Sequence, residues 1–135
     1  MDTYGRLTEK MISELASVLG TGGIITDDRD LLENYSWDQA GRIWGHMPEA
    51  VVRPGNTTQV SAVMKIASRY RIPVTPRGAG SGLNGGAVPL AGGIVLSLER
   101  MNAILEIDPV NRVAVVEPGV VTNDLCRAAA EKGFL

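Results

Sequence analysis

The sequence predicts an α/β fold in which helices flank a small, partly parallel sheet. Two short segments, 50–53 and 94–98, are almost wholly apolar, which is typical of strands that are covered on both faces. After the first of them a helical pattern runs to about Arg69 with its apolar side chains on one face, and another strand is expected at 73–76. A strand, a helix and a second strand in this order predict a parallel crossover.

Further elements are expected in the amino-terminal part. Apolar side chains at helical spacing predict a helix over 8–19, and Gly20 is placed to end it. A turn into a very short strand is expected at 22–26, and a short helix led by a capping aspartate at 27–35. The segment 36–47 shows no clear period. We expect its two tryptophans to cover the core and its single histidine to be packed or solvated rather than a ligand.

A hairpin and a helix are expected in the carboxyl-terminal part. The segments 104–108 and 112–116 flank a short turn, as the two strands of a hairpin do. After a break at Pro118, apolar positions recur at helical spacing, with Thr122 or Asn123 available to cap a last helix.

Composition limits the classes of function. At 135 residues the chain is one domain's worth and can bury a sizeable core. A net charge of -2 without runs of like charge gives no reason to expect nucleic acid or an anionic membrane as a partner, and no apolar run is long enough for a transmembrane segment. One cysteine, Cys126, and one histidine exclude an internal disulfide and a zinc cluster. The first residues lack the apolar segment of a signal peptide, so we expect a cytoplasmic protein.

A glycine-rich loop at 77–87 lies between two of the predicted strands. Five of the nine residues in 78–86 are glycine, which lets the backbone turn tightly and bring its amide groups close to a ligand. Successive amides, together with the hydroxyl of Ser81, suit phosphate oxygens, while Arg77 would either add charge or brace the loop. A plain surface turn or flexible linker has similar composition. Because strands hold both ends, a binding loop is favoured.

The loop does not fit three familiar phosphate motifs. The glycines of 80–85 match G-x-G-x-x-G, but Pro89 and the glycine pair at 92–93 leave no room for the helix of a Rossmann fold. No Lys-Ser or Lys-Thr follows, which excludes a Walker A loop. Ala87 and the absence of a nearby lysine exclude a kinase glycine loop. A cradle that runs from strand to loop to strand remains.

Four motifs in fixed order then identify a resemblance: they lie at 73–87, 93–102, 107–111 and 116–119. Together they resemble the FAD-binding domain of the p-cresol methylhydroxylase, or vanillyl-alcohol oxidase, type. More narrowly they are similar to the glycolate oxidase FAD subunit and the D-lactate dehydrogenases. The resemblance implies a division into an amino-terminal helical extension, 1–47, and the first part of the FAD-binding domain, 48–135.

The resemblance also implies a set of cofactor-binding residues. The FAD pyrophosphate is expected to be wrapped by Pro76, Arg77, Gly78, Ala79, Gly80, Ser81 and Gly82. Asn84 and Gly85 would complete the loop, and Pro118 and Gly119 would lie against another part of the cofactor. Some members of the superfamily attach FAD covalently through a histidine at the place of Ser81. Serine cannot form that link, so a noncovalent FAD is implied, with the hydroxyl donating to a phosphate oxygen.

For the whole enzyme, the resemblance implies oxidation of a 2-hydroxyacid such as glycolate or D-lactate. FAD would take a hydride equivalent from the α-carbon and pass electrons to an iron–sulfur subunit, a quinone or a cytochrome. In that family the substrate residues lie beyond Leu135, so no catalytic residue is assigned and the isolated chain is expected to be inactive alone. We expect it to expose an apolar patch and to self-associate. A noncatalytic nucleotide-binding or interaction module and an inert remnant are the alternatives.

Overall fold

A computed structural model describes residues 4–134. Residues 1–3 of the predicted extension, 1–47, and residue 135 of the predicted domain part, 48–135, lie outside the described residues. The elements in chain order are α1 (Glu9–Leu19), β1 (Ile24–Ile25), α2 (Arg29–Glu33), a 3₁₀ turn (Arg42–Trp44), β2 (Ala50–Val52), α3 (Thr57–Tyr70), β3 (Val74–Arg77), β4 (Ile94–Ser97), β5 (Ile104–Asp108), β6 (Val113–Val116) and α4 (Thr122–Ala130). The predicted α/β class is confirmed, and each expected element is present within a few residues of its predicted bounds.

Four strands form the main sheet in the order β1-β2-β4-β3. β4 is parallel to both of its neighbours, and Val95 faces Val51 on one side and Thr75 on the other. β1 pairs antiparallel with β2. The predicted parallel crossover is therefore confirmed, but its two strands are not adjacent, because β4 lies between them.

The core covers both faces of β4. Ile94 and Leu96 pack with α1 and α3 in the larger cluster of buried side chains. Val95 points to the other face and packs with Val51 and with Leu32 of α2. Because successive side chains of a strand alternate between faces, a strand covered by helices on both faces is apolar at successive positions, as Ile94, Val95 and Leu96 are.

Local hydrogen bonds fix the helix ends. Asn56 Oδ1 accepts from the amide of Gln59 at 2.9 Å, while Gln59 Oε1 accepts from the amide of Gly55 at 2.7 Å. This pair resembles a capping box, displaced by one residue at its return bond. The expected cap of α4 is wrong: the helix begins at Thr122, and Val121 before it offers no side-chain cap.

The segment between α2 and β2 corrects one expectation. Trp37 is half-buried and carries the guanidinium of Arg42 above its ring at 4.7 Å. Trp44 lies on the 3₁₀ turn with 65% of its surface exposed. The prediction that both tryptophans cover the core is therefore wrong for Trp44.

The hairpin β5-β6 and α4 stand apart from the main sheet. The two strands pair antiparallel as a separate sheet, and no side chain of α4 is buried. Several large apolar side chains of this region are exposed: Leu105, Val110, Val113, Val115 and Val121. These exposed side chains are in line with the expected apolar patch, which stays a prediction. Among the described helices, none combines the length and the apolarity that crossing a bilayer requires.

Candidate functional site

The glycine-rich loop leaves the sheet at its carboxyl edge. It follows β3 directly and leads into β4 without a helix, as predicted when the Rossmann motif was excluded. Its first residue is fixed by the bond that the Leu98 amide donates to the Arg77 carbonyl at 2.9 Å, and a turn closes where the Val88 amide donates to Gly85. Ligands of open α/β sheets bind at this edge.

The backbone amides of the loop are not used by the protein itself. From Gly78 to Gly86, none donates a hydrogen bond to another group within residues 4–134. Most of these residues are exposed. Backbone amides without an internal partner must be satisfied by water or by a ligand, and a run of them on a glycine loop is a site for an anion such as a phosphate.

The loop glycines fall into two kinds. Gly80 and Gly85 have φ near +70°, and a Cβ on Gly80 would clash with the Arg77 guanidinium. The protein's own conformation therefore requires them. Gly78 and Gly86 have no such φ and no atom of the described chain within 4 Å of a built Cβ. Of these two, Gly78 lines a cleft described below, where the missing side chain leaves room for a ligand.

The side chain of Arg77 lies beneath the loop instead of facing outward. It is buried and donates to the carbonyl oxygens of Trp37 at 2.7 Å and Asn34 at 3.3 Å. Its guanidinium also lies 5.7 Å from the ring centre of Tyr35. Burial lowers the pKa of Arg77, and the negative charge of Asp38 opposes that lowering. Of the two roles predicted for Arg77, this geometry favours bracing the loop.

A cleft joins the loop to the fourth predicted motif, 116–119. Ala79 and Ser81 face Pro118, Gly119 and the first residues of α4 across a cavity of about 280 Å³. Gly119 is required for packing as well, since a Cβ there would clash with the carbonyl oxygen of Leu98. The first amides of a helix have no partner within it, so this cleft is lined by backbone donors on two sides.

A second cleft, of about 320 Å³, shares Ala79, Gly119 and Val121 with the first. Its polar wall is formed by Tyr35 and Glu99, whose carboxylate oxygens accept from the Tyr35 hydroxyl at 3.0 and 3.2 Å. Burial and then the hydrogen bond to Glu99 raise the pKa of Tyr35, so the hydroxyl stays protonated at neutral pH. Both clefts are thus lined by residues of the glycine loop.

The structure does not bring all predicted site residues together. Asn84 and Gly85 line a different cavity, of about 390 Å³, with apolar walls that include Trp44, Leu83 and Leu90. Pro76 is exposed at the end of β3. The shared site is therefore formed by the first half of the loop and by Pro118 and Gly119.

Three residues near the site were missed by the sequence reasoning. Tyr35 and Glu99 form the polar wall of the second cleft, and Asp38 is fully buried beneath the loop. Glu99 directly follows an apolar strand, at the edge where ligands bind, and that position was the available signal. Asp38 lies in an aperiodic segment that offered none.

The described residues hold no group of three or more histidine, cysteine, aspartate or glutamate side chains suited to a metal ion. His46 is exposed. The two clefts are lined by backbone amides, the hydroxyls of Tyr35 and Ser81 and the carboxylate of Glu99. The amides and the Ser81 hydroxyl are the groups that suit phosphate oxygens.

Comparisons with known proteins agree with this arrangement. Residues 48–135 match the family described as FAD binding domain. The glycolate oxidase subunit GlcD of Bacillus subtilis is 44% identical over 111 residues, 76% of this chain and 24% of that protein. The D-lactate dehydrogenase of Anaerostipes hadrus is 36% identical over 132 residues, 98% of this chain and 27% of that protein. The solved p-cresol methylhydroxylase with substrate bound has a TM-score of 0.80 at 28% identity, over 95% of this chain and 26% of that one.

The chain thus spans about a quarter of the length of these relatives. The part that it spans contains the loop, the strands that hold it and the facing Pro118-Gly119 turn. FAD contains a pyrophosphate, and the unpaired amides of a glycine loop at the carboxyl edge of a parallel sheet are suited to bind it. With the match over 48–135, this places the chain in the FAD binding domain family.

Proposed function

We propose that the chain is the FAD-binding portion of a flavin-dependent oxidoreductase that acts on 2-hydroxyacids of the glycolate or D-lactate type. Residues 48–135 would be the first part of the FAD-binding domain, and 1–47 an amino-terminal extension that supplies α1, β1 and α2. When bound, FAD would accept a hydride equivalent from the α-carbon of the substrate. The names of the relatives, glycolate oxidase subunit and D-lactate dehydrogenase, support this substrate class.

One observation carries the proposal: the consecutive unpaired amides in the first half of the loop, 78–82, lie next to a cleft lined by Pro118 and Gly119. The amides of the first half of the loop would donate to the FAD pyrophosphate, and the Ser81 hydroxyl would add a further donor. Arg77 would act from below by holding the loop. Because serine offers no nucleophilic ring nitrogen for a flavin link, the cofactor would be held noncovalently.

The partners of the whole protein follow the same resemblance. A relative named as a subunit supports assembly with other chains, and we propose an iron–sulfur electron-transfer subunit among them. A cytoplasmic location stays a prediction, as does the absence of nucleic-acid partners. No catalytic residue is proposed within this chain.

The test is a pair of glycine substitutions in the same loop, Gly78→Ala and Gly86→Ala. Neither position needs glycine for its φ or for packing, so both variants should fold. Only Gly78 lies in the proposed pyrophosphate cradle. We expect Gly78→Ala to raise the Kd for FAD and ADP about tenfold or more, a loss of about 1.4 kcal/mol, and Gly86→Ala to change it less than about twofold. Calorimetry and flavin fluorescence measure both.

Adenosine, which lacks the pyrophosphate, is the ligand control and should bind far more weakly than ADP. Ser81→Ala should lie between the two glycine variants, since it removes a single donor worth about 1 kcal/mol. Equal effects of Gly78→Ala and Gly86→Ala would contradict the cradle. A folded wild-type chain that binds neither FAD nor ADP would contradict the proposed function.

A further inference from the structure

We infer that Asp38 is a positioning residue of the FAD site: its buried carboxylate holds the returning end of the glycine loop at Ala87, opposite the end held by Arg77. The inference rests on the proposed function and deepens it. Asp38 belongs to the segment 34–40, which lies outside the family match over 48–135. The FAD cradle would then depend on residues that precede the domain as the family defines it.

Asp38 has no exposed surface. One carboxylate oxygen, Oδ1, accepts from the amide of Ala40 at 2.9 Å and fixes the carboxylate within its own segment. The other, Oδ2, accepts from the amide of Ala87 at 3.4 Å and lies 3.8 Å from the Cβ position of Gly82. The carboxylate therefore lies beneath the loop and holds the residue that directly follows the unpaired amides.

Arg77 ties the other end of the loop to the same segment. Its guanidinium donates to the carbonyl oxygens of Asn34 and Trp37, and the charge of Asp38 acts on it favourably. A buried carboxylate is costly without hydrogen bonds or an opposite charge. Asp38 has both. The segment 34–40 therefore supports both ends of the loop, and the charges of Asp38 and Arg77 compensate each other.

This support matters because the loop has no internal bonds of its own between Gly78 and Gly86. The direction of its amides is then set by how its two ends are held. Binding is strengthened when donors are already oriented toward the ligand, since less conformational freedom is lost. Loosening one end should therefore weaken FAD binding even though Asp38 does not touch FAD.

The chain contains a matched control for Asp38. Glu49 also uses both carboxylate oxygens on backbone amides, accepting from Leu7 at 2.9 Å and from Gly93 at 3.3 Å. Gly93 directly precedes β4, so this bond lies at the amino end of the sheet, away from the loop. Glu49→Gln thus removes a comparable carboxylate without disturbing the cradle.

The experiment compares Asp38→Asn with Glu49→Gln by FAD titration and by ¹⁵N relaxation of the loop amides in the protein without ligand. We expect Asp38→Asn to raise the Kd for FAD about tenfold or more and to lower the order parameters of residues 78–87. Glu49→Gln should leave Kd within about twofold and the loop unchanged, even where its melting temperature falls. A merely structural role would affect melting in both variants and leave Kd alone.

Unchanged FAD affinity and unchanged loop dynamics in folded Asp38→Asn would overturn the inference. If wild type binds neither FAD nor ADP, the proposed function fails, and the relaxation data alone decide whether Asp38 positions the loop. If Asp38→Asn does not fold, hydrogen exchange in wild type decides: the Ala87 amide should be protected about tenfold more than the Gly86 amide. Equal protection would overturn the inference.

Discussion

One strand of the main sheet, β4, and one strand of the hairpin, β6, are similarly apolar, yet their side chains are covered very differently. In β4, with the sequence Ile-Val-Leu-Ser, every residue is buried. In β6, Val-Ala-Val-Val, three of the four residues are exposed. The composition of a strand therefore does not decide its burial. What decides it is whether the chain supplies layers for both faces, as α1, α3 and α2 do for β4.

The largest expected effect is on the free energy of unfolding, which should respond differently to substitutions in β4 and in β6. Ile94 is fully buried in the larger core cluster, and Ile94→Ala should lower the free energy of unfolding by about 3 kcal/mol, through lost burial and the cavity left behind. Urea unfolding followed by circular dichroism measures it. Val113→Ala, an exposed apolar strand residue in the hairpin, is the control and should cost less than about 1 kcal/mol. Similar losses for both would show that the hairpin face is covered in solution.

An intermediate effect concerns association. Leu105 is 63% exposed within the apolar patch, and contiguous apolar surface favours contact between molecules. We expect the chain to self-associate through this face, and Leu105→Ser to shift light scattering toward monomer while changing the free energy of unfolding by less than about 0.5 kcal/mol. Leu90→Ser, which removes an equally exposed leucine outside the hairpin, should leave association unchanged. A wild-type chain that stays monomeric at every concentration would refute the expectation.

The smallest effect is electrostatic and lies in the turn of the hairpin. Hydrogen bonds from the backbone amide and then the side chain of Asn111 lower the pKa of Asp108. Because this pKa is lowered, the stabilisation is present above the ordinary aspartate pKa and is lost as pH falls through the lowered value.

Asn111→Ala keeps the backbone bond and removes the side-chain bond, so the pKa of Asp108 should rise partway toward its ordinary value. An NMR titration of the Asp108 carboxyl carbon follows it. Asn123→Ala, elsewhere in the same region, should leave the titration as in wild type. The same titration curve in Asn111→Ala would show that the turn does not hold the carboxylate in solution.

Most of the helices and strands could be predicted because each of them leaves a local pattern of apolar residues in the sequence. The helical spacing before Gly20 and the apolar runs at 50–53 and 94–98 correspond to α1, β2 and β4. The position of β4 between β2 and β3 could not be predicted, since strand order depends on pairing between residues far apart in sequence. The exposure of Trp44 was missed for a related reason, because an aperiodic segment gives no face to assign.

Part of the candidate site could likewise be predicted from the sequence, and part could not. The glycine loop was predicted from composition and flanking strands, and the structure adds that its amides are unpaired. The position of Arg77 beneath the loop was one of two alternatives that the sequence left open. Asp38 could not be found, since it lies in an aperiodic segment and only the fold brings its distant partner Ala87 to it. The assignment of individual FAD contacts stays a prediction.

The strand order also has a consequence for how the molecule assembles. β2 and β3 precede β4 along the chain, yet they share no ladder with each other, and each forms its parallel ladder only with β4. The parallel part of the sheet therefore cannot exist until residues 94–97 are available. Insertion of that one strand closes the loop between β3 and β4, which costs chain entropy before any contact repays it. Formation of the parallel part of the sheet and closure of the glycine loop are thus a single folding step.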